Sequence, residues 1–273
     1  LRLDDIQLAN TPACFEPTLD YVVTKMPRFP FDKFPAAQNQ LSTQMKATGE
    51  VMSVGRCFEE SLLKAVRSLE NQKIHLHMEK FDSKHMRVDE LLDYIKEGTD
   101  DRIYAISQLM WLGVDASLVC DITQIDMFFL DKIKQIVDFE KELEQAPGDL
   151  ALLKEAKRLG FSDAYIAELW KQKELDVYTL RCKWRIFPVY KMIDTCASEF
   201  ESYVPYFYST YASENESVVS NRKKVIVLGS GPIRIGQGVE FDYSTVHAVH
   251  TIQQMGYEAI VINNNPETVS TDY

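Results

Sequence analysis

A glycine-rich segment at residues 223–273 constrains the fold of this chain most strongly. It reads KKVIVLGSGPIRIGQGVEFDYSTVHAVHTIQQMGYEAIVINNNPETVSTDY. Short apolar runs predict strands over 225–228 and 259–262, and the stretch between them, from about 240 to 255, has the length and spacing of a helix. This order predicts one βαβ unit of an open parallel sheet.

The loop over 229–238 follows the first predicted strand, and the tail NNNPETVSTDY follows the second. Ligands of open parallel sheets bind beyond the carboxyl ends of the strands, so we expect the loop and the tail to meet at one rim. One βαβ unit cannot cover both faces of its own sheet, and the chain begins with Leu1 rather than Met. We therefore expect an internal piece of a larger protein.

Backbone amides in a glycine-rich loop and at a helix N-terminus attract anions, which suggests a nucleotide site. A dinucleotide fingerprint, however, needs glycine where Arg234 stands and an acid near Asn263 to bind ribose. A phosphate-binding P-loop needs lysine where Gln237 stands and Ser or Thr in place of Gly238. The sequence conflicts with both alternatives.

The loop also carries residues that predict a structural or a guiding role. We interpret three of its glycines as requirements of the backbone turn: Gly229, Gly231 and Gly236. Glu240 and Asp242 lie in the first turn of the predicted helix, where carboxylates are often only partners of the helix dipole. Alternatively, they form a polar rim with Arg234 and Glu267 that guides a charged intermediate. The residues themselves leave both interpretations open.

Residues 1–70 combine extended segments with one helix. The β-rich residues 21–23 predict a strand that Pro27 and Pro30 bring to an end. A second extended segment over 42–56 is expected to break at Gly49, with a backbone bend or a close approach there. Helical spacing of apolar residues then predicts an amphipathic helix that leads away from this β region, marked by Phe58, Leu62, Val66 and Leu69.

Residues 71–216 are dominated by predicted helices. The first ends at Gly98 as its C-cap, a longer one ends before Gly148, and two short ones flank Gly160. Apolar residues at helical spacing mark four of these helices: Val88, Leu91, Leu92 and Ile95; Ile103, Ile106, Met110 and Trp111; Phe129, Ile133, Ile136 and Leu143; Val177, Leu180 and Trp184. The aromatic-rich stretch 187–216 predicts an extended connector that lies over a neighbouring surface.

Composition and the scattered reactive residues exclude several classes of function. Acidic residues outnumber basic ones 41 to 30, a net charge of -11, which argues against nucleic-acid binding. No apolar run approaches the roughly 20 residues that span a bilayer, so we expect no membrane segment. Five scattered cysteines without a C-x-x-C pair indicate reduced thiols in a cytoplasmic protein. We interpret His75, His77 and His85 as a solvated loop without a metal site.

Several stretches, in this order, resemble one family. LGSGPIRIGQGVEFDYSTVHAV with NNNPETVSTDY is similar to the start of the second synthetic half of the large chain of carbamoyl phosphate synthetase. TPACFEPTLDYVVTKMPRFPFDKF and TQMKATGEVMSVGR resemble the end of its first half, an ATP-grasp domain. FPVYKMIDTCASEFESYVPYFYSTY resembles the close of the helical domain between the halves.

The resemblance implies an α+β multidomain chain with a central all-α domain. Residues 1–70 would be the C-terminal part of the first ATP-grasp (carboxyphosphate) domain, and residues 71–216 the helical oligomerisation domain. Residues 217–273 would be the incomplete start of the second (carbamoyl phosphate) synthetic domain, a Rossmann-like α/β unit. An alternative is a stand-alone helical interaction module with a nucleotide-binding-like βαβ unit.

The resemblance also implies a chemistry for the intact protein. The family is an ATP-dependent carbon–nitrogen ligase that makes carbamoyl phosphate from bicarbonate, glutamine-derived ammonia and two ATP, with Mg²⁺ or Mn²⁺, for pyrimidine or arginine synthesis. It implies a glutaminase small chain as partner and a homo-oligomer formed through the helical domain. The ligands of ATP and metal would lie outside this chain, which would then have no complete catalytic site. Five residues resemble or adjoin the lining of a passage for carbamate: Leu19, Arg234, Gly238, Glu240 and Glu267.

Overall fold

A computed structural model describes most of the chain. It covers residues 2, 5–6, 14, 16, 18–34, 36–46, 48–194, 196, 206–229, 231 and 242–263. The strands are β1 (Val22–Arg28), β2 (Gly49–Gly55), β3 (Val189–Met192), β4 (Phe207–Thr210), β5 (Lys224–Leu228) and β6 (Glu258–Ile262). The helices are α1 (Phe58–Ser68), α2 (Val88–Tyr94), α3 (Arg102–Trp111), α4 (Ala116–Thr123), α5 (Met127–Gln145), α6 (Leu150–Arg158), α7 (Asp163–Trp170), α8 (Glu174–Lys183) and α9 (Tyr243–Gln254), with a short 3₁₀ turn at Glu79–Phe81.

Strands β1 and β2 form an antiparallel pair in which Val22 lies opposite Gly55. Pro27 lies inside β1 opposite Glu50, so the prediction that this proline ends the ladder is wrong. Each strand of a two-stranded sheet has one free edge, where a missing N–H removes no ladder hydrogen bond. Strand β2 begins at Gly49, where the sequence predicts a break in the extended segment.

Helix α1 packs back over this sheet instead of leading away from it, which corrects the prediction. On one side, Ala65 and Leu69 form a buried cluster with Val51 of β2. On the other side, Leu62 and Val66 belong to the main hydrophobic core. Burial on both sides makes α1 the element that joins the sheet to the helices.

The main core lies among α1 to α8 and confirms most of the predicted helices. Its wholly buried side chains include Leu63, Phe81, Leu91, Ile95, Leu109, Leu130, Ile136, Leu143, Leu153 and Ile166. Each side chain of this size stabilises the fold by roughly 1.5–3 kcal/mol when it is buried. The buried positions 133, 136, 137, 140 and 143 of α5 recur at helical spacing, as the sequence predicts.

Side-chain caps begin four consecutive helices. The first-turn amides of α4, α5, α6 and α7 donate to Asp115, Asp126, Asp149 and Ser162, at 2.8–3.1 Å. Caps of this kind stabilise a helix by about 1 kcal/mol each. Helix α4 is absent from the sequence prediction. The predicted C-cap at Gly98 is wrong, because α2 ends at Tyr94.

Histidine 75 is buried, so the solvated-loop interpretation is wrong for this residue. Its ring stacks on Tyr165 at 3.8 Å between centroids, and its Nε2 lies 3.5 Å from a carboxylate oxygen of Glu140. Among the residues that the structure describes, neither ring nitrogen has a hydrogen-bond partner, and burial lowers the pKa of His75. His77 and His85, by contrast, are exposed.

The aromatic connector contains a small sheet that the sequence prediction lacks. Strands β3 and β4 pair antiparallel, with Val189 opposite Thr210. The buried side chain of Lys191 binds Glu216 at 2.7 Å, which fixes the polar residues that follow β4 against β3. The two segments are extended, as predicted, but each is held by the other.

Parallel strands β5 and β6 with helix α9 confirm the predicted βαβ unit. Lys224 lies opposite Glu258 and Leu228 opposite Ile262. Helix α9 begins at Tyr243, later than the predicted start near 240. The structure thus has the predicted mixture of helices and small sheets. None of the helices described is long and apolar enough to cross a membrane.

Glycine 160 provides a test of how closely the core packs on α1. Its φ is +91°, and a Cβ atom built there would lie 2.8 Å from the Cα atom of Glu60. We expect Gly160→Ala to lower the free energy of unfolding by about 2 kcal/mol or more, because the left-handed backbone and the contact with the α1 backbone both oppose a side chain.

Gly113→Ala is the matched control, since Gly113 has φ +86° but no neighbouring atom within 4 Å of its Cβ position. This variant should lose only the conformational part, about 1 kcal/mol. Urea denaturation measures both. Equal losses in the two variants would show that the approach of Gly160 to α1 has no energetic effect.

Candidate functional site

The rim of the βαβ unit begins where β5 and β6 end side by side. The amide of Gly229 donates to the carbonyl of Ile262 at 2.8 Å, which extends the parallel pairing by one residue. A Cβ atom at Gly229 would lie 2.7 Å from Cγ of Asn263. Glycine is therefore required here for the asparagine side chain to fit beside the first loop residue.

Two further residues define the start of the loop and the start of its helix. Gly231 has φ +85°, a left-handed conformation that favours glycine. Asp242 is wholly buried at the N-cap position of α9, although its side chain does not cap the first-turn amides. In the first turn, the ring of Tyr243 lies edge-on to that of His247 at 4.1 Å.

Most of the predicted passage residues lie outside the residues that the structure describes. These are Arg234, Gly238, Glu240 and Glu267; Gly236, predicted as a glycine of the backbone turn, also lies outside them. Leu19 is described, and its side chain is about half exposed just before β1. The structure therefore does not test the predicted set, and a role for these residues stays a prediction.

The surroundings of Leu19 are polar and aromatic. The neighbouring Asp20 forms an ion pair with Arg56, which also interacts with the hydroxyl of Tyr208. The nearby hydroxyl of Tyr208 and the carboxylate of Asp20 raise the pKa of Arg56. Tyr21 donates to the carbonyl of Asp194 at 3.0 Å. These contacts fix the chain around Leu19 between β2 and the small β3–β4 sheet.

A buried carboxylate that the sequence prediction missed lies at the centre of this region. Glu60 of α1 is almost fully buried and accepts from the Arg56 amide at 2.7 Å and from the Thr210 hydroxyl at 3.0 Å. Its other oxygen lies 2.7 Å from Nζ of Lys64. The i, i+4 spacing of Glu60 and Lys64 predicts an ion pair, but it does not reveal that the pair is buried.

Lysine 64 extends this contact to two strands. Its ammonium group donates to the carbonyl of Val54 in β2 at 2.9 Å and to that of Ser209 in β4 at 2.6 Å. Burial lowers the pKa of Lys64, against the opposing effect of Glu60. One buried ion pair thus fixes α1, β2 and β4 together.

A second buried network holds the end of the helical region. Asp163 accepts two hydrogen bonds from Nε and Nη2 of Arg181 and one from Nζ of Lys157 at 2.8 Å. Burial lowers the pKa of Lys157 to about 8. Burial acts against the ionised form of Asp163, but the hydrogen bond from Arg181 and the charge of Lys157 keep its pKa below its usual value. Both cations also lie over the ring of Tyr211, just after β4.

These two networks hold helices and strands in position and provide few groups that could take part in a reaction. Every charged group in them is already paired, so none is placed as a free nucleophile or base. In the parts of the chain that the structure describes, no three His, Cys, Asp or Glu side chains are grouped as a metal site would need.

Comparison with known families identifies the chain. A helical core followed by a parallel βαβ unit defines a multidomain protein of mixed helices and small sheets. Residues 50–185 match the family described as carbamoyl-phosphate synthetase large chain, oligomerisation domain. Residues 221–273 match the carbamoyl phosphate synthase preATP-grasp domain. The chain belongs to the carbamoyl-phosphate synthetase large-chain family, whose intact members are ATP-dependent ligases.

The Asp163 network generates a stability prediction. Asp163→Asn removes the carboxylate that Lys157 and Arg181 share and leaves two buried cations facing each other. We expect the free energy of unfolding to fall by about 3 kcal/mol or more, the usual cost of breaking a buried ion pair. Thermal and urea unfolding measure this loss.

Asp138→Asn is the matched control, because Asp138 pairs with Lys134 on the exposed surface of α5. Exposed pairs of this type contribute little to stability, so the control should unfold much like the unchanged chain. If both variants lost the same amount, burial of the Asp163 network would not be what stabilises the fold.

Proposed function

We propose that this chain joins the two synthetic halves of a carbamoyl-phosphate synthetase large chain and fixes their positions, without a complete catalytic site of its own. The observation that carries the proposal is the buried pair Glu60–Lys64, which binds atoms of β2 and β4 from one helix. Because α1 is held to both strands, a shift of the segment before the helical domain would also shift the segment that follows it. In this proposal the three parts are residues 1–70, 71–216 and 217–273.

The intact enzyme would carry the chemistry. It would form carbamoyl phosphate from bicarbonate, ammonia released by a glutaminase small chain, and two ATP, in the cytoplasm, for pyrimidine or arginine synthesis. The lysines and arginines buried around Glu60 and Asp163 are committed to ion pairs and do not fit a phosphate site. We propose that residues elsewhere in the enzyme hold ATP and Mg²⁺ or Mn²⁺.

Self-association through the helical domain is the second part of the proposal. The match of residues 50–185 to an oligomerisation domain supports it. Large apolar side chains on its helices are exposed, which is typical of association surfaces. They include Leu118, Phe128, Leu175 and Tyr178.

Sedimentation velocity tests this part. The 31.4 kDa chain should sediment as a species of at least twice that mass as its concentration rises. At least one of Leu118→Asp, Phe128→Asp and Leu175→Asp should weaken association, because a charge in an apolar contact must lose its water. Met45→Asp is the control, since Met45 is 97% exposed and lies outside the helices. A monomer at all concentrations would contradict the proposal.

The third part is a passage for carbamate that Leu19 and Gly238 line, with Arg234, Glu240 and Glu267 beside it. A glycine leaves space that a larger side chain would fill. In the full-length enzyme, Gly238→Leu should therefore abolish overall carbamoyl phosphate formation. Bicarbonate-dependent ATP hydrolysis and carbamate-dependent ATP synthesis should both continue, because each takes place within one half.

Gly238→Ala serves as the milder control and should retain part of the overall reaction. If all three activities of Gly238→Leu fell together and its melting temperature dropped, the glycine would be needed only for its backbone conformation. The passage would then have to be placed elsewhere.

A further inference from the structure

A cavity of about 690 Å³ lies where β1 meets the helical core. The end of β1, the turn after α1, the start of α3 and the first turns of α5 surround it. Its volume is in the range of sites that bind small organic molecules. Neither matched family description refers to a ligand at this position.

The floor of the cavity is apolar and aromatic. Phe58 and Phe129 line it with their rings 5.6 Å apart, next to Leu62, Ile106 and Ile133 of the core. Phe129 remains 45% exposed although its neighbour Ile133 is buried. An apolar molecule on this floor would remove aromatic surface from water, which favours binding.

Some of the charged side chains around the rim are paired with one another, and others are not. Arg28 is paired with Asp32 through two hydrogen bonds, and the carboxylate of Asp101 is taken by Lys80 and Tyr94. The two cations, Arg28 and Lys80, and the two carboxylates, Asp32 and Asp101, balance one another. Together they present little net charge to a bound ligand.

Two cationic side chains at the rim are not paired in this way. The side chains of Lys73 and Arg102 have no hydrogen bond or ion pair with any residue that the structure describes. Two further carboxylates line the cavity: Glu70, which has another interaction, and Asp100, whose pKa is raised by burial and the adjacent Asp101. The two unpaired cations of the rim therefore outnumber the one carboxylate, Asp100, that can offset them.

The start of α3 adds to the attraction for an anion. Arg102 is the first residue of this helix, where the dipole favours negative charge, and the first turn contains no acidic side chain. The N-cap residue Asp101 makes no side-chain cap, because its carboxylate is already engaged.

The turn after α1 is held in an uncommon conformation beside the cavity. Glu70 and Gln72 have φ of +52° and +64°, although neither is glycine. Such residues are strained and are concentrated at ligand-binding and functional sites. This turn places Lys73 at the rim.

We propose that this cavity binds a small organic anion with a flat apolar body, of the class of aromatic carboxylates. The ring system lies on Phe58 and Phe129, and the carboxylate binds Lys73 and Arg102. The site is independent of the proposed role in joining the synthetic halves, and its test uses the unmodified chain.

Calorimetry with 2-naphthoate and the neutral 2-naphthalenemethanol tests the proposal. Naphthoate should bind once per chain and about tenfold more tightly than the alcohol, because only the anion gains charge-assisted hydrogen bonds. Absence of saturable naphthoate binding, or equal affinity for the two compounds, would overturn the proposal.

Variants separate the rim charges from the apolar floor. Arg102→Met and Lys73→Met should each weaken naphthoate binding and leave binding of the alcohol unchanged, whereas Arg102→Lys should retain most of the affinity. Lys183→Met removes an exposed lysine at the end of α8 and is the matched control. Melting temperatures establish that each variant is folded. A loss as large in the control as in the rim variants would show that net charge alone attracts the anion, and the proposed site would be wrong.

Discussion

The buried carboxylate of Glu60 is the interaction on which the arrangement of the described elements most depends. It receives the Arg56 amide, the Lys64 ammonium and the Thr210 hydroxyl, the last from a residue 150 positions away. A carboxylate taken out of water costs several kcal/mol unless other donors replace the solvent. Its three donors must therefore be present together, and the turn before α1, the helix itself and β4 assemble as one unit.

The same helix is fixed from its other side by close packing. Gly160 lies against the Glu60 backbone, and the carbonyl of Gly160 accepts from Arg67 at 2.7 Å. Burial lowers the pKa of Arg67 to about 10. A larger residue at 160 would push α1 outward and pull Glu60 away from Thr210. Apolar packing and the buried ion pair therefore constrain the same helix, so neither can change without the other.

Local sequence patterns predict some of the helices and strands well and others not at all. Helix α5 is predictable because its buried residues repeat over five turns, and the βαβ unit because apolar strands flank a glycine loop. Helix α4 has eight residues, too few for a repeat to stand out. The pairing of β3 with β4 and the burial of His75 depend on partners far along the chain. The ring that covers His75 belongs to Tyr165, ninety positions later.

In the candidate site, too, some features follow from the local sequence and others from contacts between residues far apart in the sequence. Its glycines and acids are visible in the sequence as a family pattern, which is how Gly238 and Glu267 were predicted. The packing of Gly229 against Asn263 is not visible there, because it joins the ends of two strands that are neighbours only in the folded sheet. In a dinucleotide site an acid near this strand end would bind ribose. Here the strand end carries Asn263, whose side chain packs against the loop, so the start of this rim is built for close packing of the backbone and not for a ribose.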